Sequence, residues 1–316
     1  MHILELEVTT RCNLNCKHCY NRRFDPIDMP FDRMVEFFKF ANENKVWTLI
    51  ISGGEALLHP DFIKFNQFAK RNDRTFRLIL QSNGTLMQGD VINMITNFDL
   101  VHLSFDLADD VRIGGKNNLQ LAQKLKKRGI DSYLFATVHK RNYKYIDKMV
   151  KMANDKNIPI GFNLCIPTGN VDTKYLLTRN EFFNVEKKLF EMYKRKLILR
   201  YTSPLVSVFD DNKRSRFDKI KGGCTAGIAA CVVAPDGDVY PCPFFRLSAG
   251  NIYKDSLVNI WNNSKLFNKL RSRRKLLEPC ASCEFLQYCG GCRKRAYEAT
   301  KNIYGCDPMC YRDLLK

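Results

Sequence analysis

The strongest constraint on the fold is a unit that recurs six times before residue 170. Each unit has a short β-branched run followed by a loop, and the first five continue into an amphipathic stretch. Residues 3–8, 47–52, 76–81, 100–105, 131–138 and 160–166 read as strands. Residues 31–43, 60–71, 89–96, 117–128 and 143–157 read as helices. Strand–helix alternation implies a parallel sheet with right-handed crossovers. No glycine-rich dinucleotide fingerprint follows any strand. The expected fold is therefore α/β, a partial (β/α)6 barrel, with its chemistry at the strand ends.

Unusual residues fall at those ends. Cys12, Cys16 and Cys19 follow the first strand. Ser52, Gly53, Gly54 and Glu55 follow the second, and Ser82, Asn83 and Gly84 the third. Ser104 and Asp106 close the fourth, His139 to Asn142 follow the fifth, and Pro167, Thr168 and Gly169 follow the sixth. Six clusters in register point to one site at the barrel mouth.

The pattern then breaks. Residues 179–195 read as a long helix, 198–209 as an extended apolar stretch, and 210–223 as a charged loop ending in Gly-Gly. The expected division is a barrel over 1–170, a bridge over 171–223 and a cysteine-rich domain over 224–316. The last region has too little apolar periodicity to fold on a core alone, so metal binding would supply its folding energy.

Thirteen cysteines cannot all pair within one chain, because the number is odd. No signal peptide precedes them, so close spacing favours metal ligation over disulfides, in the cytoplasm. No run is long and apolar enough for a membrane span. The formal charge is +18, with basic runs at 124–128, 213–221 and 269–275. Solvated helix faces account for such runs more simply than nucleic acid does, and no nucleic-acid motif accompanies them.

Three thiols in "CNLNCKHC" are too few for a closed tetrahedral zinc site and too many for one disulfide. A partial zinc site completed by His18 is the plain alternative. A cubane [4Fe-4S] cluster held by three thiolates keeps one iron open. With "SGGE" after the second strand, this loop resembles that of the radical SAM enzymes. The resemblance implies that the open iron binds S-adenosylmethionine. Reductive cleavage would then release a 5′-deoxyadenosyl radical that takes a hydrogen atom from the substrate. It also implies cofactor contacts from Gly53 and Gly54 by close backbone approach, from Glu55 to the methionyl ammonium, and from Ser82, Asn83, Ser104 and Asp106.

Farther on, Asp236-Gly237 between apolar runs signals a two-residue hairpin. Centred there, it sets Cys231 directly opposite Cys242, with Cβ atoms roughly 4.5–5.5 Å apart. Cys280, Cys283, Cys289 and Cys292 form two CxxC pairs, followed by Cys306 and Cys310. Structural zinc on the two pairs is the alternative here. "PDGDVYPC" and "CEFLQYCGGC" resemble the SPASM extension of radical SAM enzymes. That resemblance implies two auxiliary [4Fe-4S] clusters. One would take Cys224, Cys231, Cys242 and Cys292, and the other Cys280, Cys283, Cys289 and Cys310. The chain has two residues between Cys289 and Cys292 where many members have three. Cys165 and Cys306 are left over. Cys306 is a substitute for Cys310, Cys165 reads as a small buried apolar side chain, and either is a candidate hydrogen-atom donor.

The implied function is an oxidoreductase or maturase that oxidises or rearranges a substrate radical. A ribosomal peptide or protein is the leading substrate, with leader recognition by a separate protein. A tetrapyrrole is the second, because "CGGCRKRAYEAT" also resembles the ends of heme and heme d1 synthesis enzymes. Either an acidic substrate or an acidic electron donor, flavodoxin or ferredoxin, would suit the basic charge. A non-catalytic metal protein that binds nucleic acid is the reading from another class.

Overall fold

The computed structural model describes residues 1–21, 25–108, 115–169, 171–205, 208–209, 223–286 and 288–315. The expected charged loop and the basic run at 213–221 lie outside them, apart from Gly223. Among the described residues ten strands form one sheet. They are β1 (Ile3–Thr9), β2 (Thr48–Gly53), β3 (Arg77–Ser82), β4 (Leu100–Ser104), β5 (Ser132–Val138), β6 (Ile160–Leu164), β7 (Arg200–Thr202), β8 (Ala230–Val233), β9 (Asp238–Tyr240) and β10 (Gly250–Asn251). The order is β10-β9-β8-β1-β2-β3-β4-β5-β6-β7. β1 to β7 run parallel in sequence order, as a barrel built from crossover helices requires.

The main crossover helices are α1 (Phe31–Glu43), α2 (Phe62–Arg71), α3 (Val91–Met94), α4 (Asn118–Lys127), α5 (Ile146–Asn154) and α6 (Arg179–Lys194). Each of the longer ones buries an apolar stripe against the sheet. For α1 the stripe is Met34, Phe37, Phe38 and Ala41, at the helical spacing of three and four. The start of α6 is a reciprocal capping box. Thr178 Oγ1 accepts from Glu181 N, and the Glu181 carboxylate accepts from Thr178 N at 3.0 Å. On β1, Leu4, Leu6 and Val8 face the helices. Their neighbours Glu5 and Glu7 face the other way and are also buried, so the barrel interior is partly polar.

The sheet does not stop at the expected domain boundary. β8 pairs in parallel with β1, from Ile3↔Ala230 to Leu6↔Val233. The C-terminal hairpin thus continues the barrel sheet on its first edge, and β7 extends it on the other.

The hairpin itself corrects one expectation. Val233 pairs with Val239 and Val232 with Tyr240. Ala234 N donates to Asp238 O at 2.9 Å, and Gly237 N to Ala234 O at 2.9 Å. The loop is therefore three residues, Pro235-Asp236-Gly237, with Gly237 at φ +85°. Pro235 fixes φ near −65°, which suits the first central position of a type I turn, and it lacks the N–H that a two-residue Asp-Gly loop would need to bond Asp238 O. The register moves by one, setting Cys231 across from Pro241. A slip of one sends a side chain to the opposite face, so Cys231 and Cys242 part company.

Candidate active site

β1 runs directly into the three-cysteine loop, and two neighbours hold the junction. Thr9 Oγ1 donates to Asp28 Oδ1 at 2.6 Å, and Arg11 Nε pairs with Asp28 Oδ2 at 2.9 Å. From the other side, Gly54 N donates to Thr9 O and Glu55 N to Arg11 O, both at 2.7 Å. A Cβ on Gly53 would stand 2.4 Å from Thr9 O, and one on Gly54 2.2 Å from Arg11 O. The missing side chains let the cysteine-loop backbone pack directly on the end of β2.

The loop cysteines form no disulfide, Cys12 being exposed and Cys16 and Cys19 half-buried. Burial raises the pKa of Cys12. The Leu14 N–H offsets part of this, and the negative charges of Glu55, Cys19 and Cys16 add to it. Glu55 is buried and serves as a hub. Its Oε1 accepts from Ser82 Oγ at 2.9 Å and from Leu57 N at 3.3 Å, and its Oε2 accepts from Asn83 N at 2.7 Å. Asn83 Nδ2 reaches back to Asn13 Oδ1, inside the cysteine loop, at 2.9 Å. The structure thus brings Glu55, Ser82 and Asn83 together beside the thiols. Ser104 enters through its carbonyl, which accepts from Asn118 Nδ2 at 2.6 Å; the same amide donates to Asn83 O at 2.8 Å.

Asp106 is turned inward. Its Oδ1 accepts from Ala108 N and Asn142 Nδ2, both at 3.0 Å, and its Oδ2 lies 3.2 Å from His139 Nε2. Burial alone would raise this carboxyl. The hydrogen bonds from His139 and Asn142, with the His139 charge, outweigh burial and hold it below the usual range. His139 stacks on His18 of the cysteine loop, with ring centroids 5.3 Å apart. Asp106 therefore braces the loop through His139. Asn13, Asn118 and the bracing geometry of Asn142 were missed. Asparagines beside strand ends were the available signal.

Among the C-terminal thiols, Cys224, Cys242 and Cys292 lie close enough to interact. Burial raises Cys242, and the charges of Cys224 and Cys292 raise it further. Cys224 is pushed up to about 11 by burial and by Cys292. Cys231 is elsewhere. It is buried in the main core with Sγ 3.1 Å from Met1 Sδ, and burial pushes its thiol up to about 12. Its place in the first auxiliary set is thus not supported, for the register reason given above.

A second set joins Cys280, Cys289, Cys306 and Cys310. Cys280 Sγ is 3.8 Å from Cys306 Sγ. Cys306 also interacts with Cys310, which is lowered to about 6 as a result; Cys280 is lowered to about 7 by the same partner, and Cys306 is pushed up. Cys289 feels the charges of Cys310 and Cys280. Cys283 sits one turn from Cys280, its N donating to Cys280 O at 3.1 Å. Cys306 is therefore not left over. Cys165 remains apart, following β6 with its N donating to Val138 O at 2.8 Å and its thiol pushed up to about 12 by burial.

No disulfide joins any of the thirteen cysteines. Sets of thiolates with few hard oxygen ligands fit iron–sulfur clusters. Residues 6–153 match the family model of the Radical SAM superfamily, and residues 224–284 that of SPASM, an iron-sulfur cluster-binding domain. The AdoMet-dependent heme synthase of Methanosarcina barkeri is 27% identical, over 98% of this chain and 95% of its own. The PqqA peptide cyclase of Gluconobacter oxydans is 27% identical, over 96% of this chain and 88% of its own. The structure of Streptococcus suis SuiB bound to precursor peptide SuiA superposes with a TM-score of 0.80 at 19% identity, covering 98% of this chain and 75% of that one. That likeness establishes the fold. The two matched domains, the barrel and the gathered thiols make the chain a radical SAM iron–sulfur enzyme with a SPASM domain.

Proposed function

We propose that this enzyme takes a hydrogen atom from its substrate at the barrel mouth and oxidises or rearranges the resulting radical. The observation that carries the reading is the Glu55 hub tied to the cysteine loop through Asn83 and Asn13. When bound, the cluster and S-adenosylmethionine supply the 5′-deoxyadenosyl radical. Cys12, Cys16 and Cys19 would hold that cluster. Glu55, fixed by Ser82 and Asn83, would bind the methionyl ammonium. Gly53, Gly54, Asp106 and His139 keep the loop in position.

Cys224, Cys242 and Cys292 would hold one auxiliary centre, and Cys280, Cys283 and Cys289 with Cys306 or Cys310 the other. Cys165, at the end of β6, is the remaining candidate for a hydrogen-atom donor, and its Ser variant tests that role.

For the substrate, end-to-end similarity to the heme synthase supports a tetrapyrrole side chain. Similarity to the peptide cyclase supports a ribosomal peptide or protein, with any leader bound by a separate partner. Among the described residues no helix is long and apolar enough to cross a membrane. Reduced thiols fit a cytoplasmic setting, with flavodoxin or ferredoxin as electron donor.

The test is anaerobic reconstitution, reduction, and assay for 5′-deoxyadenosine from S-adenosylmethionine. Formation is expected, and Glu55→Gln should weaken S-adenosylmethionine binding. No cleavage by iron-loaded protein would overturn the reading. Side-by-side turnover of a propionate-bearing tetrapyrrole and of candidate peptides separates the two substrate classes.

A further inference from the structure

Two arginines lie in the helix Arg293–Thr300, just after Cys292, and both are buried. Arg295 spends its charge on Asp307, with Nε to Oδ1 at 2.8 Å and Nη2 to Oδ2 at 2.7 Å. Asp307 Oδ2 also accepts from Cys292 N at 2.7 Å. This pair is complete.

Arg293 is different. It is 7% exposed. Its Nη1 donates to Ile303 O at 2.9 Å and to Gly305 O at 2.7 Å, which fixes the guanidinium plane. Its Nε and Nη2 are buried with no hydrogen-bond partner. Among the described residues no carboxylate lies within ion-pair distance of it. A buried cation with two idle donors is costly unless negative charge stands nearby.

The Asp307 carboxylate that flanks Gly291 is spent on Arg295 and Cys292 N, and the other nearby groups are thiols, which carry negative charge once they ligate a cluster. Arg293 lines a small cavity together with Cys224, Cys289, Gly290, Gly291 and Arg273. Gly291 is part of that arrangement: a Cβ there would come within 3.1 Å of Arg293 Nη2. Cys224 belongs to the first thiol set and Cys289 to the second, so the side chain borders both sets across one cavity.

We propose that Arg293 is the potential-setting residue of the auxiliary centres, its idle N–H groups donating to cysteine or cluster sulfur. This rests on the auxiliary-centre reading above. Hydrogen bonds to sulfur and net charge both set cluster potentials, and a fixed cation favours the more negative, reduced state. Removing it makes reduction harder.

The experiment compares the reconstituted full-length protein with Arg293→Gln and Arg293→Lys, by iron content and by redox titration followed by electron paramagnetic resonance. Iron should stay at the parent level. The auxiliary midpoint should move to more negative potential in Arg293→Gln and less far in Arg293→Lys, which keeps the charge. The midpoint of the Cys12–Cys16–Cys19 centre should not move. An unmoved auxiliary midpoint at full iron overturns the proposal. So does loss of auxiliary iron in both variants, which would make Arg293 a structural prop. A parent protein with iron for one cluster only would instead sink the auxiliary-centre reading itself.

Discussion

Glu5 is a carboxyl inside the barrel with one short hydrogen bond, from Ser52 Oγ at 2.6 Å. Burial and the charge of Glu7 raise its pKa from 4.5 to about 7. The folded state therefore holds this proton more tightly than the unfolded chain does. The stability this gives is complete below the unfolded value and is lost as pH rises through 7. The loss amounts to about 3 kcal/mol for a shift of this size. Glu5→Gln removes the titration. Its stability relative to the parent should climb between pH 5 and pH 8, approaching that figure, in urea unfolding at a series of pH values. A flat difference over that range would show that Glu5 does not titrate there.

At the scale of elements, the hairpin β8–β9 decides which cysteines meet. Cys231→Ala should leave iron content at the parent level, because its thiol faces Met1 in the core. Cys242→Ala should lose about one cubane's worth of iron, four atoms. Equal losses in both variants would restore the register in which the two thiols face each other. This is also where sequence reading reached its limit. Apolar periodicity over a full strand or helix is a sum of many small signals, and α1 begins and ends where the pattern says it should. The hairpin register hangs on one residue, Pro235, and the Asp-Gly signal outweighed it in the reading. At the site, Glu55 stood out because its Gly-Gly-Glu ends the strand after the three-cysteine loop; alone that motif is weak. The inward turn of Asp106 was not, since it depends on His139 and Asn142 from another strand end.

The whole molecule is joined by a pair that no local pattern announces. Arg246, from the C-terminal region, forms an ion pair with Glu7 of β1, with Nη1 to Oε2 at 2.8 Å, and its guanidinium lies 5.2 Å from the Tyr20 ring centroid. Glu7 is fully buried. Arg246→Ala leaves that carboxylate without its partner, at a cost of about 3–5 kcal/mol. Thermal unfolding should fall by several degrees, and Glu7→Gln in the same chain should recover most of the loss. No recovery in the double variant would mean that Arg246 acts by packing on Tyr20 and Tyr240 instead.

The parallel pairing of β1 with β8 has a consequence for the order of assembly. β1 can join β2 as soon as residue 53 exists, but its other edge waits for residues 230–233. Contacts so distant in sequence form slowly, and an open strand edge invites pairing with other chains. The three-cysteine loop leaves that same strand. During synthesis it is therefore finished well before its sheet is covered, so β1 is made ahead of β2 to β8 and is among the last of them to be enclosed.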